Sequence, residues 1–113
     1  MTQSPAIQFT VKQLENKTRL LTLAFGTPAT NVQIVQHTQA RLNELIADEL
    51  AGGSLLLIDG PTSLPNAFVI AHAVNHRFAA VAIFDPKLSA YIVVVSHDPQ
   101  YVIGQLIAKE SSN

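Results

Sequence analysis

Apolar residues in the first part of the chain follow a period of two. Ile7, Phe9 and Val11 alternate with polar residues, and a second such run covers Thr18 to Phe25. This period is typical of half-buried strands, because successive side chains of a strand point to opposite faces. Glu15 to Lys17 can turn the chain between the runs. The pattern therefore predicts an antiparallel hairpin.

The period changes between Asn31 and Leu50, where apolar residues recur at spacings of three, four and seven. These residues are Val35, Leu42, Leu45, Ile46 and Leu50. Such a stripe predicts an amphipathic helix. Gly52 and Gly53 follow, and we expect them to end the helix as a left-handed C-terminal cap. His37, near the helix start, is interpreted as a solvated polar position.

The second half of the chain alternates between apolar strands and one helix. Ser54 to Ile58 is an uninterrupted apolar run, which is typical of a strand buried on both faces. Pro65 suits the first turn of a helix, and Ala79 to Phe84 predicts the next strand. In the helix, Ala67, Ile70, Ala71, Val74 and Phe78 are expected on one face, with Pro65, Val69, His72 and His76 on the other. Strand, helix and strand predict a right-handed βαβ unit with parallel strands.

Two shorter segments complete the predicted sheet. Asp85 to Leu88 is too short for a crossover, so Tyr91 to Val95 should return as an antiparallel neighbour. Tyr101 to Ile107 is expected to form a last short strand or an extended segment. The prediction is a single α/β domain over residues 1–113, with a small Rossmann-like mixed sheet and loose tails at residues 1–6 and 109–113.

Composition narrows the classes of function. With 48% hydrophobic and 13% charged residues, the chain should be globular, and no apolar run is long enough to span a bilayer. A net charge of −1 argues against coating long nucleic acids, which requires a basic face. The chain has no cysteine, which is compatible with a cytoplasmic protein. Its low charge also favours self-association.

Candidate chemistry lies where the parallel strands end. Asp59 and Asp85 end two of them, and ligands of open α/β sheets bind at that edge. The Gly60–Ser63 turn leads into a helix N-terminus that could bind a phosphate. The alternative is structural and is favoured by the pattern alone: Asp85 before Pro86 is common turn chemistry, and Asp59 before Gly60 is only a strand end.

The histidines offer weaker signals. His72 and His76 are spaced to share a helix face and could bind a metal or phosphate together, or be surface or interface residues. They do not form an HExxH motif. Adjacent Ser96 and His97 are a poor nucleophile pair, because neighbouring strand residues face opposite sides.

The predicted topology separates His76 from Asp85. The helix returns to the amino end of the second parallel strand, whereas Asp85 ends that strand. A strand of five or six residues spans about 17–20 Å. Both residues could therefore act on one bond only across an interface between molecules stacked head to tail.

Several motifs together resemble a known family. Gly60-Pro61, Ala71-His72 followed by His76, Val81 to Leu88 and Val93 to His97 are similar to the small CRISPR-accessory ring nucleases of type III systems. That family was first described as manganese-dependent RNA deadenylation exonucleases. The resemblance extends from Ile58 to about Ile107, while the first half agrees only in its plan of hairpin, helix and strand.

The resemblance implies a compact relative of the CRISPR-associated Rossmann-like (CARF) sensor domains. It implies a homodimer that cleaves cyclic tetra-adenylate, with the ring held between two dimers that stack into a tetramer or filament. Linear oligoadenylates would be the product, which would switch off type III antiviral signalling.

The resemblance also assigns residues. Asp85 would bind Mn²⁺ or assist acid–base chemistry. Lys87, which stands where members often carry arginine, would be a catalytic residue that holds the phosphate. The catalytic histidine aligns with His76 or, less well, with Asn75. The remaining expected ligand-binding residues are Gly60, Pro61, Thr62, Ser63, His72, Asn75 and His97. A sensor that binds the ring without cleaving it, and an RNA 3′ deadenylating exonuclease, are the alternatives.

Overall fold

The computed structural model describes residues 6–109, which form one six-stranded sheet and two helices. The elements are β1 (Ile7–Leu14), β2 (Thr18–Phe25), α1 (Asn31–Leu45), β3 (Gly53–Asp59), α2 (Leu64–Val74), β4 (Phe78–Asp85), β5 (Ala90–Ser96) and β6 (Leu106–Ala108). Strand order in the sheet equals chain order. The predicted small Rossmann-like mixed α/β fold is confirmed.

The sheet combines antiparallel edges with a parallel centre. β1 and β2 form the predicted hairpin, and its turn has positive φ at both Asn16 (58°) and Lys17 (59°), as a tight hairpin turn requires. β3 and β4 are parallel, as predicted, and β5 returns antiparallel to β4. β2 and β3 are also parallel, so α1 is the connection of a second crossover.

Both helices pack on the same face of the sheet. Two right-handed crossovers that move in one direction along a sheet require this arrangement. The main core joins helix residues such as Leu42 and Val74 to strand residues such as Leu21 and Leu56. A second cluster, which includes Leu57, packs on the opposite face, where no helix lies within residues 6–109. The fold is therefore a two-layer structure with one open sheet face.

The end of α1 differs from the prediction. The helix ends at Leu45, and turns cover residues 46–50, with a bend at Ala51. Neither Gly52 nor Gly53 has a positive φ, so the predicted left-handed cap is wrong. A Cβ at Gly52 would lie 2.8 Å from Arg77 O, and one at Gly53 would lie 2.5 Å from Lys17 O. These glycines are needed for close backbone approach, not for a helix cap.

The second helix is shorter than its predicted apolar stripe. It ends at Val74, so His76 lies in a turn and Phe78 begins β4. Its buried residues are Asn66, Ile70 and Val74, whereas Ala71 is exposed. Val69, expected on the outer face, packs against the core.

The predicted tails lie mostly outside the described residues. Within them, the amide of Ala6 donates to His37 Nδ1 at 3.3 Å. His37 is therefore half-buried and bonded, not the solvated position that was expected. At the other end, β6 covers only the last part of the predicted Tyr101–Ile107 segment. No helix in residues 6–109 is long and apolar enough to cross a membrane.

Candidate functional site

The first group of predicted site residues lies at the carboxyl ends of β3 and β4. Ile58 pairs with Ile83, so Gly60 lies level with Asp85 at this edge of the sheet. Successive residues of a strand face opposite sides of the sheet, and both positions fall on the side that faces the helices. The fold therefore brings the turn that follows β3 and the turn that follows β4 to one edge, on the side of the helices.

The Asp85 carboxylate closes its own turn. Its Oδ1 accepts hydrogen bonds from the amides of Lys87 at 2.8 Å and Leu88 at 3.3 Å. Those two amides are therefore occupied and do not offer an anion site. Asp85 is half-buried, and its Oδ2 takes part in neither bond. The Lys87 side chain is exposed, so this turn presents one carboxylate oxygen and one ammonium group.

The turn after β3 requires glycine at its first position. Gly60 has a φ of +121°, and a Cβ on it would overlap the carbonyl oxygen of Leu23 on the neighbouring strand. Only glycine adopts this conformation without strain. The path of the chain into α2 is thus set by close contact with β2.

The N-terminus of α2 offers fewer free amides than the sequence prediction assumed. Ser63 is the N-cap, and its Oγ accepts from Asn66 N at 3.3 Å. Pro65 has no N–H, and the amide of Ala67 donates to Ser63 O at 2.9 Å. Leu64 keeps the remaining amide of this first turn. The expected phosphate site on the helix N-terminus is therefore reduced.

A buried amide that the prediction missed supports the same turn. Asn66 is 0% exposed, and its Nδ2 donates to Thr62 Oγ1 at 2.8 Å. Because the Thr62 oxygen accepts this bond, its own proton is free to be donated elsewhere. Asn66 falls four residues before Ile70, on the buried stripe of α2, and that spacing was the available signal.

The second group of predicted residues lies at the opposite end of the sheet. Asn75 and His76 follow α2, and His97 follows β5. The rings of His76 and His97 are stacked, with centroids 5.1 Å apart and planes 30° apart. His97 Nε2 lies 2.7 Å from the backbone oxygen of Asn75. The three residues therefore form one cluster.

His72 belongs to neither group. It is exposed on α2 and lines a groove of about 580 Å³ between α1 and α2, together with Phe68. The helix ends before His76, so the predicted pairing of His72 with His76 on one helix face is wrong. His76 packs on His97 instead.

Asp59 and Asp85 do not form one site. Asp59 continues the alternation of Leu57, which packs on the open face. Its Oδ2 lies 3.2 Å from Lys109 Nζ, and that ammonium lies 4.5 Å from the centroid of the Phe84 ring. Burial first, and the charge of Asp59 second, raise the pKa of Tyr91. Asp59 therefore forms an ion pair with Lys109 on the open face of the sheet.

A metal ion at Asp85 would find few side-chain ligands among the described residues. Within residues 6–109, no three His, Cys, Asp or Glu side chains are grouped so as to hold a metal ion. Asp85 is a single carboxylate with one oxygen engaged by amides. A hard divalent cation takes about six oxygen ligands, of which Asp85 would give one and water or a bound ligand the others.

The comparison with protein families decides the relationship. A family model described as CRISPR-associated protein (Cas_csx3) matches residues 31–108, well over half of the chain. The chain belongs to the Cas_csx3 family. The matched stretch of this Cas_csx3 protein runs from α1 to β6 and includes both residue groups. No curated protein matches the chain.

Proposed function

We propose that this Cas_csx3 protein cleaves cyclic tetra-adenylate to linear oligoadenylates and so switches off type III CRISPR signalling. One observation carries the proposal. His76 with His97 lies at one end of the sheet, and Asp85 with Lys87 lies at the other. Each end presents part of the groups that phosphodiester cleavage needs, so a complete site would be shared between stacked molecules.

The substrate carries its own nucleophile. The 2′-oxygen attacks the adjacent phosphorus, the bond from phosphorus to the 5′-oxygen breaks, and a 2′,3′-cyclic phosphate and a 5′-hydroxyl result. One proton leaves the 2′-oxygen and one reaches the 5′-oxygen. His76 is the group that we assign to proton transfer. Lys87 and the hydroxyl of Thr62 are assigned to the phosphate.

The shared site requires self-association, and the surface supports this part of the proposal. Large apolar side chains are exposed on several elements, including Leu64, Phe68, Ile83 and Val94. Only 13% of the residues are charged. We propose a homodimer that stacks to a tetramer or filament on the ligand. Sedimentation velocity should show a dimer at micromolar concentration and larger species with ligand, and a monomer in both cases would contradict this.

We propose that Mn²⁺ binds at Asp85 only together with phosphates of the ligand. The reason is the shortage of protein ligands at this turn. Calorimetric titration of Mn²⁺ should give no heat of binding with free protein. It should give binding in the presence of a ring whose 2′-hydroxyls are replaced by fluorine. Tight Mn²⁺ binding to free protein would contradict the assignment.

The direct test of the activity is to incubate the purified protein with cyclic tetra-adenylate, with and without Mn²⁺, and to resolve the products. Loss of the ring with appearance of linear oligoadenylates supports the proposal. Saturable binding without linear product would support a sensor module instead. Preferential shortening of a competing linear A-tailed RNA would support a 3′ exonuclease.

A further inference from the structure

In the cluster of His76 and His97, the His97 ring is the one that the protein holds in place. His97 is fixed at two points: its backbone amide donates to Ala79 O at 2.7 Å, and its Nε2 lies 2.7 Å from Asn75 O. A carbonyl oxygen only accepts, so Nε2 must carry the proton of this hydrogen bond. The His97 ring is thereby held between the end of β5 and the turn that follows α2.

His76 lies on that turn with an exposed side chain. An exposed imidazole ordinarily samples several rotamers, and a rotamer that points away from the substrate is inactive. The centroids of the fixed His97 ring and the His76 ring are 5.1 Å apart, and the two ring planes are 30° apart. Stacking on a fixed ring selects one orientation of the His76 plane while its ring edge stays open to solvent.

We propose that His97 is a positioning residue, which holds the His76 ring in the orientation needed for proton transfer and does not itself contact the reacting atoms. This rests on the proposed function of His76. It differs from the role in ligand binding that the family resemblance implies for His97. The stack supplies the orientation, and the bond to Asn75 O supplies the anchor.

Two substitutions separate the ring from the anchor. His97→Phe keeps an aromatic face but loses the bond to Asn75 O, whereas His97→Gln keeps a donor but loses the ring. His97→Ala loses both. Proton nuclear magnetic resonance of the free protein reports the stack, because His76 ring protons are shielded by a stacked neighbour. The His37 ring protons serve as the internal control and should not move.

The His76 ring protons should move downfield in His97→Gln and His97→Ala and stay near their wild-type position in His97→Phe. With cyclic tetra-adenylate, His97→Gln and His97→Ala should lower kcat about 10- to 100-fold. KM should change less than about threefold, because uniform substrate binding is untouched. His97→Phe should keep kcat within about threefold of the wild-type value.

Three outcomes would overturn the inference. Unchanged His76 resonances in His97→Ala would show that the two rings are not stacked in solution. A raised KM with unchanged kcat in His97→Gln would make His97 a ligand-binding residue. A folded His97→Phe protein that keeps the wild-type His76 resonances, and so the stack, but is as inactive as His97→Ala would show that the imidazole itself is required. The resonance measurement does not depend on turnover. If the wild-type protein does not cleave the ring, the proposed function is rejected, and the resonances still show whether His97 orients the His76 ring.

Discussion

His76 and Asp85 lie at opposite ends of the same strand. β4 begins two residues after His76 and ends at Asp85. Eight strand residues at about 3.3 Å each place the two ends roughly 23 Å apart. A phosphodiester cannot contact both side chains of one molecule. Any reaction that uses both must take one from each of two molecules.

Two substitutions of Asp85 distinguish the effect of its charge from the effect of its hydrogen bonds to the turn amides. Asp85→Asn keeps an acceptor for the Lys87 and Leu88 amides but removes the charge, whereas Asp85→Ala removes both. We expect both variants to lose Mn²⁺-dependent turnover. Urea unfolding should show a loss of about 1 kcal/mol for Asp85→Ala and little change for Asp85→Asn. Full activity of Asp85→Asn would contradict the role of the charge.

Gly60 should tolerate no side chain. Its positive φ and its contact with Leu23 O together predict that Gly60→Ala lowers the free energy of unfolding by about 3–5 kcal/mol. Gly104 is the matched control, because it has a φ of +91° but open space around it. Gly104→Ala should cost only about 1–2 kcal/mol. Equal losses in thermal or urea unfolding would show that steric overlap at Gly60 is unimportant.

The Thr62 hydroxyl should contribute to ligand binding. Asn66 Nδ2 occupies one lone pair of this oxygen and leaves its proton for a phosphate. Thr62→Val should weaken binding of cyclic tetra-adenylate about tenfold, while Thr62→Ser should bind nearly as the wild type does. Fluorescence polarisation with a labelled ring gives both constants. Equal affinity of the wild type, Thr62→Val and Thr62→Ser for the ring would show that the phosphate does not bind at Thr62.

Stability should fall at high pH because of Tyr91. Burial, and then Asp59, raise the pKa of Tyr91 above its ordinary value of 10.0. The folded state thus keeps the phenol proton where the unfolded chain has lost it. This contribution is fully present below pH 10.0 and is lost as the pH rises through the folded pKa. Urea unfolding should show the loss, and Tyr91→Phe should reduce it.

The Asp59 share can be measured separately. In a Tyr101→Phe background, tyrosinate absorbance reports Tyr91 alone, because the chain has two tyrosines. Asp59→Asn should lower the pKa of Tyr91, since it removes a negative charge that opposes ionisation. An unchanged titration curve would mean that burial alone sets the shift.

The fold could be predicted from local patterns, because alternation and apolar runs report burial directly. The hairpin, the βαβ unit and the separation of His76 from Asp85 were all readable in this way. The pairing of β2 with β3 could not be predicted from local patterns, because it depends on which edge of the sheet the first hairpin joins. The end of α2 was placed too late, because Phe78 continues the helical spacing although it begins a strand.

The site was harder to predict than the fold. Contacts between distant segments, such as His76 with His97 and Asp59 with Lys109, leave no periodic signal in the sequence. The role of Asn66 was not predicted, although its spacing to Ile70 places it on the buried stripe of α2. The parallel arrangement of β3 and β4 did place the Gly60 turn and Asp85 at one edge, as predicted.

Mixing two inactive variants tests the shared site most directly. His76→Ala protein and Asp85→Asn protein should each fail to cleave cyclic tetra-adenylate. When they are combined, some stacked molecules present an intact His76 to an intact Asp85. Cleavage should reappear and should rise with total protein concentration, because assembly is bimolecular. If native mass spectrometry shows that the two variants assemble together on the ring and no cleavage returns, the shared site is contradicted.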